Sequence, residues 1–299
     1  MHWRFGIVVA VLGLGALAVA ETSDLGYRVD ADWPSLPPGT HFAEVSAAAV
    51  DKAGNVYVFH RGEQPIMLFS PEGKLLRSFG KGLFTNAHGL RIDPDGNLWA
   101  ADSGSHIVIK LSPQGRVLLV LGRRNQPALA RERFDRPTDV AFAANGDIYV
   151  ADGYGNSRVV KYSKDGDYLL EWGKRGVGES EFNIPHAIIT DPAGRVYVAD
   201  RENFRIQIFD ADGKFIEQWT HVGSPFGLDR TSDGSLFMAD GYNDHILKLS
   251  PDGKILGSIG RHGRAPGRFD VVHHLAVGPL GAVYAAEIVT LRVQKFTGP

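Results

Sequence analysis

Three histidines of this 299-residue chain stand at the same distance from a recurring turn. His88, His186 and His273 each lie eight residues before a glycine that separates two apolar runs. Neutral imidazoles that converge from different segments and leave one coordination position open form a typical catalytic zinc site. The alternative is that the three rings only pack, or bind water, inside the protein. We favour a zinc site and expect these three residues to be its ligands.

The glycines of these turns define six internal repeats. They are Gly54, Gly96, Gly146, Gly194, Gly234 and Gly281, and successive members are 42, 50, 48, 40 and 47 residues apart. A period of 40–50 residues with several short β-type runs in each unit is typical of a β-propeller. We therefore predict an all-β chain folded as a six-bladed β-propeller. The histidines then begin the innermost strands of the second, fourth and sixth blades and converge on the channel axis.

The last repeat is one strand short. It stops at residues 292–296, whereas a spare β-type segment occupies residues 27–33, before the first innermost strand. We predict that this N-terminal segment supplies the outer strand of the last blade and closes the ring. The predicted organisation is a signal peptide over residues 1–20, a short segment over 21–26, and a single propeller over 27–299.

The composition and the N-terminal residues limit the cellular compartment and the kinds of chemical site that this chain can have. The chain contains 36 glycines and no cysteine, which excludes disulfides, thiolate metal sites and a cysteine nucleophile. Arg4 precedes an apolar run over residues 7–20 that ends Ala-Val-Ala, a pattern that predicts a secretory signal peptide. The run is shorter than a membrane span, although an uncleaved anchor is the alternative. We expect an exported protein, periplasmic or extracellular, without stable membrane insertion after signal cleavage.

A second set of side chains should surround the mouth of the channel. Hairpin geometry returns four residues to the level of the histidines: Arg61, Tyr154, Arg201 and Tyr242. Two guanidinium groups beside a cation site favour a substrate with a carboxylate, because arginine binds carboxylates bidentately. A tyrosine beside zinc and arginine can serve as a general base. For Arg201 the alternative is a salt bridge to its neighbours Asp200 or Glu202.

Several segments resemble one enzyme family. They include FHRG at residues 59–62, AHGLRID at 87–93, DGYGNSR at 152–158, PHAI at 185–188 and ADRENFRIQIF at 199–209. Together they resemble the peptidyl-α-hydroxyglycine α-amidating lyases, a branch of the NHL-repeat propellers. The resemblance implies zinc bound by His88, His186 and His273, with Tyr154 as the base and two arginines, Arg61 and Arg201. It also implies cleavage of a peptidyl-α-hydroxyglycine N–C bond, which gives a peptide amide and glyoxylate.

Two positions depart from the family pattern. The family has an aspartate directly after the third histidine, where it helps to bind a structural calcium, and this chain has His274. The matching backbone carbonyls would be those of Ala48 and Leu90, but without the carboxylate the sequence argues against a calcium site. The methionine expected two residues before the third histidine is Val271.

Two functions follow from these patterns. The first is an exported zinc-dependent lyase that acts on a small-molecule or peptide substrate carrying a carboxylate. The alternative is a non-catalytic NHL propeller that binds a peptide or glycan, with its metal structural or absent. A calcium lactonase is disfavoured because the channel residues are histidines and not carboxylates. Nucleic acid is not an expected partner, because the net charge is −2.

Overall fold

A computed structural model describes residues 23–299, and they form six four-stranded antiparallel sheets. The predicted signal peptide lies outside the described residues. The innermost strands of neighbouring sheets contact one another in sequence around a central channel, and the last contacts the first. The six-bladed propeller is therefore confirmed. Among residues 23–299 no helix has the length and apolar character needed to cross a membrane.

The first strand, β1 (Arg28–Asp30), belongs to the last blade, and the first three blades follow it in the chain. Blade one contains β2 (Val45–Val50), β3 (Val56–His60), β4 (Ile66–Phe69) and β5 (Leu75–Phe79). Blade two contains β6 (Ala87–Ile92), β7 (Leu98–Asp102), β8 (Ile107–Leu111) and β9 (Val117–Gly122). Blade three contains β10 (Asp139–Phe142), β11 (Ile148–Asp152), β12 (Arg158–Tyr162) and β13 (Tyr168–Trp172).

A short parallel pair, β14 (Lys174–Arg175) and β15 (Glu181–Phe182), precedes blade four. Blade four contains β16 (Pro185–Thr190), β17 (Val196–Asp200), a 3₁₀ turn (Arg201–Asn203), β18 (Arg205–Phe209) and β19 (Phe215–Trp219). Blade five contains β20 (Pro225–Arg230), β21 (Leu236–Asp240), β22 (His245–Leu249) and β23 (Ile255–Ile259). Blade six contains β24 (Val272–Val277), β25 (Val283–Glu287) and β26 (Arg292–Thr297).

The N-terminal strand completes the ring. In blade six β1 pairs antiparallel with β26, so that Arg28 lies opposite Thr297 and Asp30 opposite Lys295. The prediction that the N-terminal segment supplies the missing outer strand is thus confirmed, although the strand covers only Arg28–Asp30 of residues 27–33.

Burial differs between inner and outer strands for a simple reason. The second strand of a blade, such as β11, is buried along its whole length because a neighbouring blade covers each of its faces. The outermost strands β5, β13 and β19 alternate between half-buried and more exposed residues, except that β19 ends on the buried Trp219. One apolar cluster lies between each pair of adjacent blades in the described chain, so the core is a ring of six layers around the channel.

The innermost strands carry a bulge where they begin, on what we call the upper face. In five blades the pairing with the second strand skips the residues at this point: Ser46, His88 with Gly89, His186, Phe226 and His273. In blade three the corresponding Thr138 directly precedes β10. A bulge leaves a residue outside the ladder and re-aims its side chain. The three histidines are therefore turned into the channel by local strand geometry.

Buried carboxylates at the upper ends of five blades bind the backbone of the connections between blades. Five second strands end on Asp102, Asp152, Asp200, Asp240 and Glu287, and each carboxylate accepts a backbone N–H from the preceding connection. Blade one has His60 instead, whose Nδ1 accepts the N–H groups of Ala43 and Gly62 at 3.2 Å. Burial lowers the pKa of His60 to about 4, so this imidazole is neutral at pH 7.

Candidate metal centre and active site

The three predicted metal ligands meet in the channel. His88, His186 and His273 are almost completely buried, and their ring centroids lie 4.7, 4.8 and 4.8 Å apart. One nitrogen of each ring lies within 4.8 Å of those of the other two. The structure thus brings together three side chains that are 98 and 87 residues apart in the sequence.

The hydrogen bonds of these rings repeat with threefold symmetry. Each Nδ1 lies 2.6–2.7 Å from a backbone carbonyl oxygen of the next blade, those of Thr138, Phe226 and Ser46 respectively. Because a carbonyl oxygen only accepts, Nδ1 carries the proton and Nε2 has its lone pair available. Metal-binding histidines usually donate their second N–H in this way. The donor set therefore fits a zinc ion.

The protonation of the three rings also suits a metal. Burial, with a smaller contribution from the nearby Arg61 guanidinium, lowers the pKa of His88 to about 3 against the opposing effect of the Thr138 carbonyl. Burial, and the repulsion that would arise if neighbouring rings were protonated together, likewise hold the pKa values of His186 and His273 well below the ordinary range. All three are neutral at pH 7, which is the form that binds a metal.

Tyr154 lies directly above the histidines. Its hydroxyl oxygen is 3.0 Å from Nε2 of His88 and 3.0 Å from Nε2 of His186. The loop that carries it follows β11 and crosses close to blade four, where a Cβ on Gly153 would lie 2.1 Å from the Pro185 carbonyl oxygen. A glycine is therefore required here, and it lets Tyr154 reach the channel axis.

Arg61 occupies the blade-one side of the mouth. Its Nε donates to the carbonyl oxygen of Ala87, the residue before His88, at 3.3 Å. No carboxylate of residues 23–299 lies within 4.0 Å of its guanidinium. The terminal nitrogens of Arg61 are consequently available to an anionic ligand.

Arg201 lies on the opposite side and has partners of its own. Its Nε donates to Glu202 at 2.8 Å, and its Nη1 lies 3.4 Å from the Tyr154 hydroxyl. The salt bridge considered as the alternative is therefore present together with the contact to Tyr154. Tyr242 lies on this side of the mouth as well, but its hydroxyl donates to Glu202 at 2.9 Å and not to a histidine. Glu202 holds both side chains.

Below the histidines the channel contains a buried ionic cluster. Arg91 bonds both carboxylate oxygens of Asp139, at 3.0 and 2.6 Å, and donates to the Leu228 carbonyl oxygen at 2.9 Å. His274 Nε2 lies 3.5 Å from Asp139. Burial raises the pKa of Asp139, but Arg91 and His274 outweigh that effect and hold the pKa below its usual value. The carboxylate is therefore ionised, and Arg91 neutralises it.

Comparison with known proteins gives the family. The NHL repeat pattern matches residues 134–162 and 182–209. Peptidyl-glycine alpha-amidating monooxygenase A of Xenopus laevis is 34% identical over 92% of this chain, which covers 34% of that protein. Peptidyl-alpha-hydroxyglycine alpha-amidating lyase 1 of Drosophila melanogaster is 33% identical over 88% of this chain, which covers 58% of it. Human NHL repeat-containing protein 3 is 34% identical over 92% of this chain, which covers 85% of it.

The chain belongs to the NHL-repeat family that includes the peptidyl-α-hydroxyglycine α-amidating lyases. It spans about a third of the length of the Xenopus laevis monooxygenase. Among solved structures, a gluconolactonase from Xanthomonas campestris aligns with a TM-score of 0.67 at 15% identity, over 94% of this chain and 99% of that one. At this identity the likeness shows the propeller fold alone.

The lower channel of this NHL-repeat propeller does not suit a calcium ion. Ala48 and Leu90, the predicted carbonyl ligands, lie two residues beyond the ring of histidines, as Leu228 does. The Leu228 carbonyl at this level already accepts from Arg91. Calcium needs six to eight oxygen ligands, and here the Arg91 guanidinium lies beside both carboxylates of this level, 2.6 Å from Asp139 and 4.0 Å from Asp229. The residues present therefore do not fit calcium.

Sequence reasoning missed Arg91, Asp139 and Glu202 as site residues. Arg91 and Asp139 have a signal in the repeats, because most of their counterparts on the other inner strands are alanine, glycine or isoleucine. A charged residue at such a position predicts an internal ion pair. Glu202 was considered only as a competitor for Arg201, whereas in the structure it fixes both Arg201 and Tyr242.

Proposed function

We propose that this chain is an exported zinc-dependent lyase that cleaves the N–C bond of peptidyl-α-hydroxyglycine-like substrates to an amide and glyoxylate. The observation that carries the proposal is the position of Tyr154, whose hydroxyl lies 3.0 Å from the Nε2 atoms of both His88 and His186. A protein that only binds a ligand needs no phenol at this point. The names of the amidating relatives agree with a lyase.

Zinc would be held by Nε2 of His88, His186 and His273. When bound there, it would lower the pKa of a substrate hydroxyl and stabilise the negative charge that develops on that oxygen. The carbonyl partners of the three Nδ1 atoms fix the orientation of the rings.

The chain's own residues then move one proton. Tyr154, as phenolate, takes the proton of the substrate hydroxyl. The oxygen's electron pair forms the aldehyde C=O bond of glyoxylate while the C–N bond breaks, and the bonding pair leaves with nitrogen. Tyr154 returns its proton to that nitrogen, which gives the amide. No oxidant, reductant or water is consumed, so atoms and charges balance.

The arginines have different tasks in this scheme. Arg61 has free terminal nitrogens and binds the carboxylate of the hydroxyglycine. Arg201 contacts the Tyr154 hydroxyl at 3.4 Å and positions it beside the histidines.

Metal content and glyoxylate release test the proposal. The mature protein is expected to contain zinc and to release glyoxylate from N-acetyl-α-hydroxyglycine. Tyr154→Phe should keep its zinc and lose about 10²–10⁴-fold in kcat, the usual contribution of a general base. Tyr149→Phe is the matched control, because its hydroxyl bonds the Ala211 carbonyl outside the channel.

Two results would contradict the proposal. If the protein is active without bound metal, zinc has no part in the proposed reaction. Zinc-loaded protein that releases no glyoxylate would favour the non-catalytic binding protein instead.

Export rests on residues 1–20 and has its own test. We expect a secreting host to yield a mature chain that begins at Glu21, as measured by intact mass. A full-length chain retained in the membrane fraction would favour the uncleaved anchor.

A further inference from the structure

Three aromatic rings lead from the histidines to the upper surface. Phe226 is buried, and its ring centroid lies 5.2 Å from that of His186. Tyr242 stacks edge-on against Phe226 at 5.0 Å, and Phe204 lies 6.4 Å from Tyr242. Tyr242 and Phe204 are 53% and 50% exposed. We call these three residues the aromatic shelf.

The shelf is held in place by its surroundings. A Cβ on Gly241 would lie 2.6 Å from the Phe226 ring, so the glycine lets this loop lie against the ring. Arg201 lies over the other part of Phe226, with its Cζ 4.7 Å from the ring centroid. The bond from Tyr242 to Glu202 fixes the outer ring. These contacts cover Phe226, whereas the rings of Tyr242 and Phe204 stay about half exposed at the mouth of the channel.

The two sides of the mouth differ in their unpaired charge, because Arg201 beside the shelf is paired with Glu202. Arg61, which has no carboxylate partner within residues 23–299, belongs to blade one. Phe204 and Tyr242 belong to blades four and five. Blades one and four are opposite each other in a six-bladed ring, so a ligand whose carboxylate reaches Arg61 extends its other end across the histidines towards the shelf.

We propose that the aromatic shelf binds the acyl group on the nitrogen of the scissile bond and makes the enzyme selective for α-hydroxyglycines with an aromatic acyl group or an aromatic preceding residue. This inference rests on the proposed function, because it places the N–C bond above the histidines. The carboxylate end is recognised by charge at Arg61 and the acyl end by ring contacts.

Binding of two uncleavable ligands tests the shelf directly. N-benzoylglycine and N-acetylglycine share the carboxylate and the amide but lack the hydroxyl that the reaction needs. In calorimetry with zinc-loaded wild-type protein, we expect the benzoyl compound to bind about ten-fold more tightly, because its ring is buried against aromatic side chains. Tyr242→Ala should reduce that ratio to about two-fold.

Two further variants separate the ring from the hydroxyl and from general effects. Tyr242→Phe should keep the ten-fold ratio, since the ring and not its bond to Glu202 makes the contact. Val289→Ala, at the equivalent position of blade six, should also keep it. An unchanged ratio in Tyr242→Ala, or equal binding of both compounds to the wild type, would overturn the shelf.

Turnover distinguishes this inference from the proposed function. With the α-hydroxy forms of both compounds, the ratio of kcat/KM values should follow the binding ratio. Absence of glyoxylate from both would overturn the lyase, and the calorimetric ratio would still decide the shelf. Release from both, with the same kcat/KM ratio in Tyr242→Ala and wild type, would leave the lyase standing and overturn the shelf.

Discussion

The upper and lower halves of the channel handle buried polarity in opposite ways. Above, His88, His186 and His273 are neutral and direct lone pairs towards the axis, an arrangement that suits a cation from outside. Below, Arg91 and Asp139 neutralise each other within the chain. The same inner strands supply both halves, one to three residues apart. Small displacements along a strand therefore separate a ligand site from a structural ion pair.

The largest effect is expected from disrupting the ion pair in the lower half of the channel. Arg91→Leu leaves the fully buried Asp139 carboxylate without its main partner, and we expect the free energy of unfolding to fall by about 3–5 kcal/mol. Urea unfolding of metal-free protein at pH 7 measures it. Zinc affinity should stay unchanged.

The double variant Arg91→Leu with Asp139→Asn is the control. It removes both charges and should recover much of the lost stability. Loss of zinc affinity together with stability in Arg91→Leu would show that the two halves act as one unit.

Removing a histidine from the upper half of the channel should instead reduce zinc affinity. His186→Ala removes one ligand, and we expect zinc affinity to fall by about 100-fold or more, since even outer partners of ligands contribute 10–100-fold. A competitive titration with a chromophoric chelator measures it. Ser46→Ala is the matched control, because the Ser46 backbone carbonyl and not its side chain bonds His273. An equal loss in both variants would contradict the assignment of the ligands.

His60 sharpens the comparison, because it is a buried imidazole outside the channel. Burial lowers its pKa from 6.5 to about 4, so the unfolded chain takes up a proton that the folded chain refuses. The contribution of His60 to the free energy of unfolding is therefore fully present above pH 6.5. It falls as the pH decreases towards 4, by about 2 kcal/mol between pH 7 and 5.

His60→Asn should reduce this acid dependence by the same amount. The amide oxygen can accept the N–H groups of Ala43 and Gly62 as Nδ1 does, without titrating. Unfolding of metal-free protein at pH 7 and pH 5 measures the difference. If both proteins lose stability equally, His60 does not account for the acid dependence.

The smallest effect is expected when calcium is added to the protein. Since Arg91 already serves the buried carboxylate, millimolar calcium should leave the Tm of the zinc-loaded protein unchanged. A ligand of the native state would raise the Tm. A rise with calcium concentration would contradict the assignment of Arg91 as the cation of the lower channel.

The sequence predicted the elements that a repeat can reveal. The glycine spacing placed His88, His186 and His273 in one ring, and the incomplete last repeat led to the pairing of β1 with β26. The carbonyl partners of the histidines could not be foreseen from residue types, since Ser46, Thr138 and Phe226 contribute backbone atoms. The bulges that turn the histidines inward likewise depend on strand pairing and leave no residue signature.

The closure of blade six has a consequence for how the chain reaches its fold. Arg28 and Thr297 are 269 residues apart, so this contact has almost the longest sequence separation the chain allows. Such a contact forms late, because closing a large loop costs conformational entropy before the contact can stabilise the fold. Until then β26 presents an open strand edge, which is a template for pairing with another chain. Dilution or rapid docking of β1 should therefore favour refolding over aggregation.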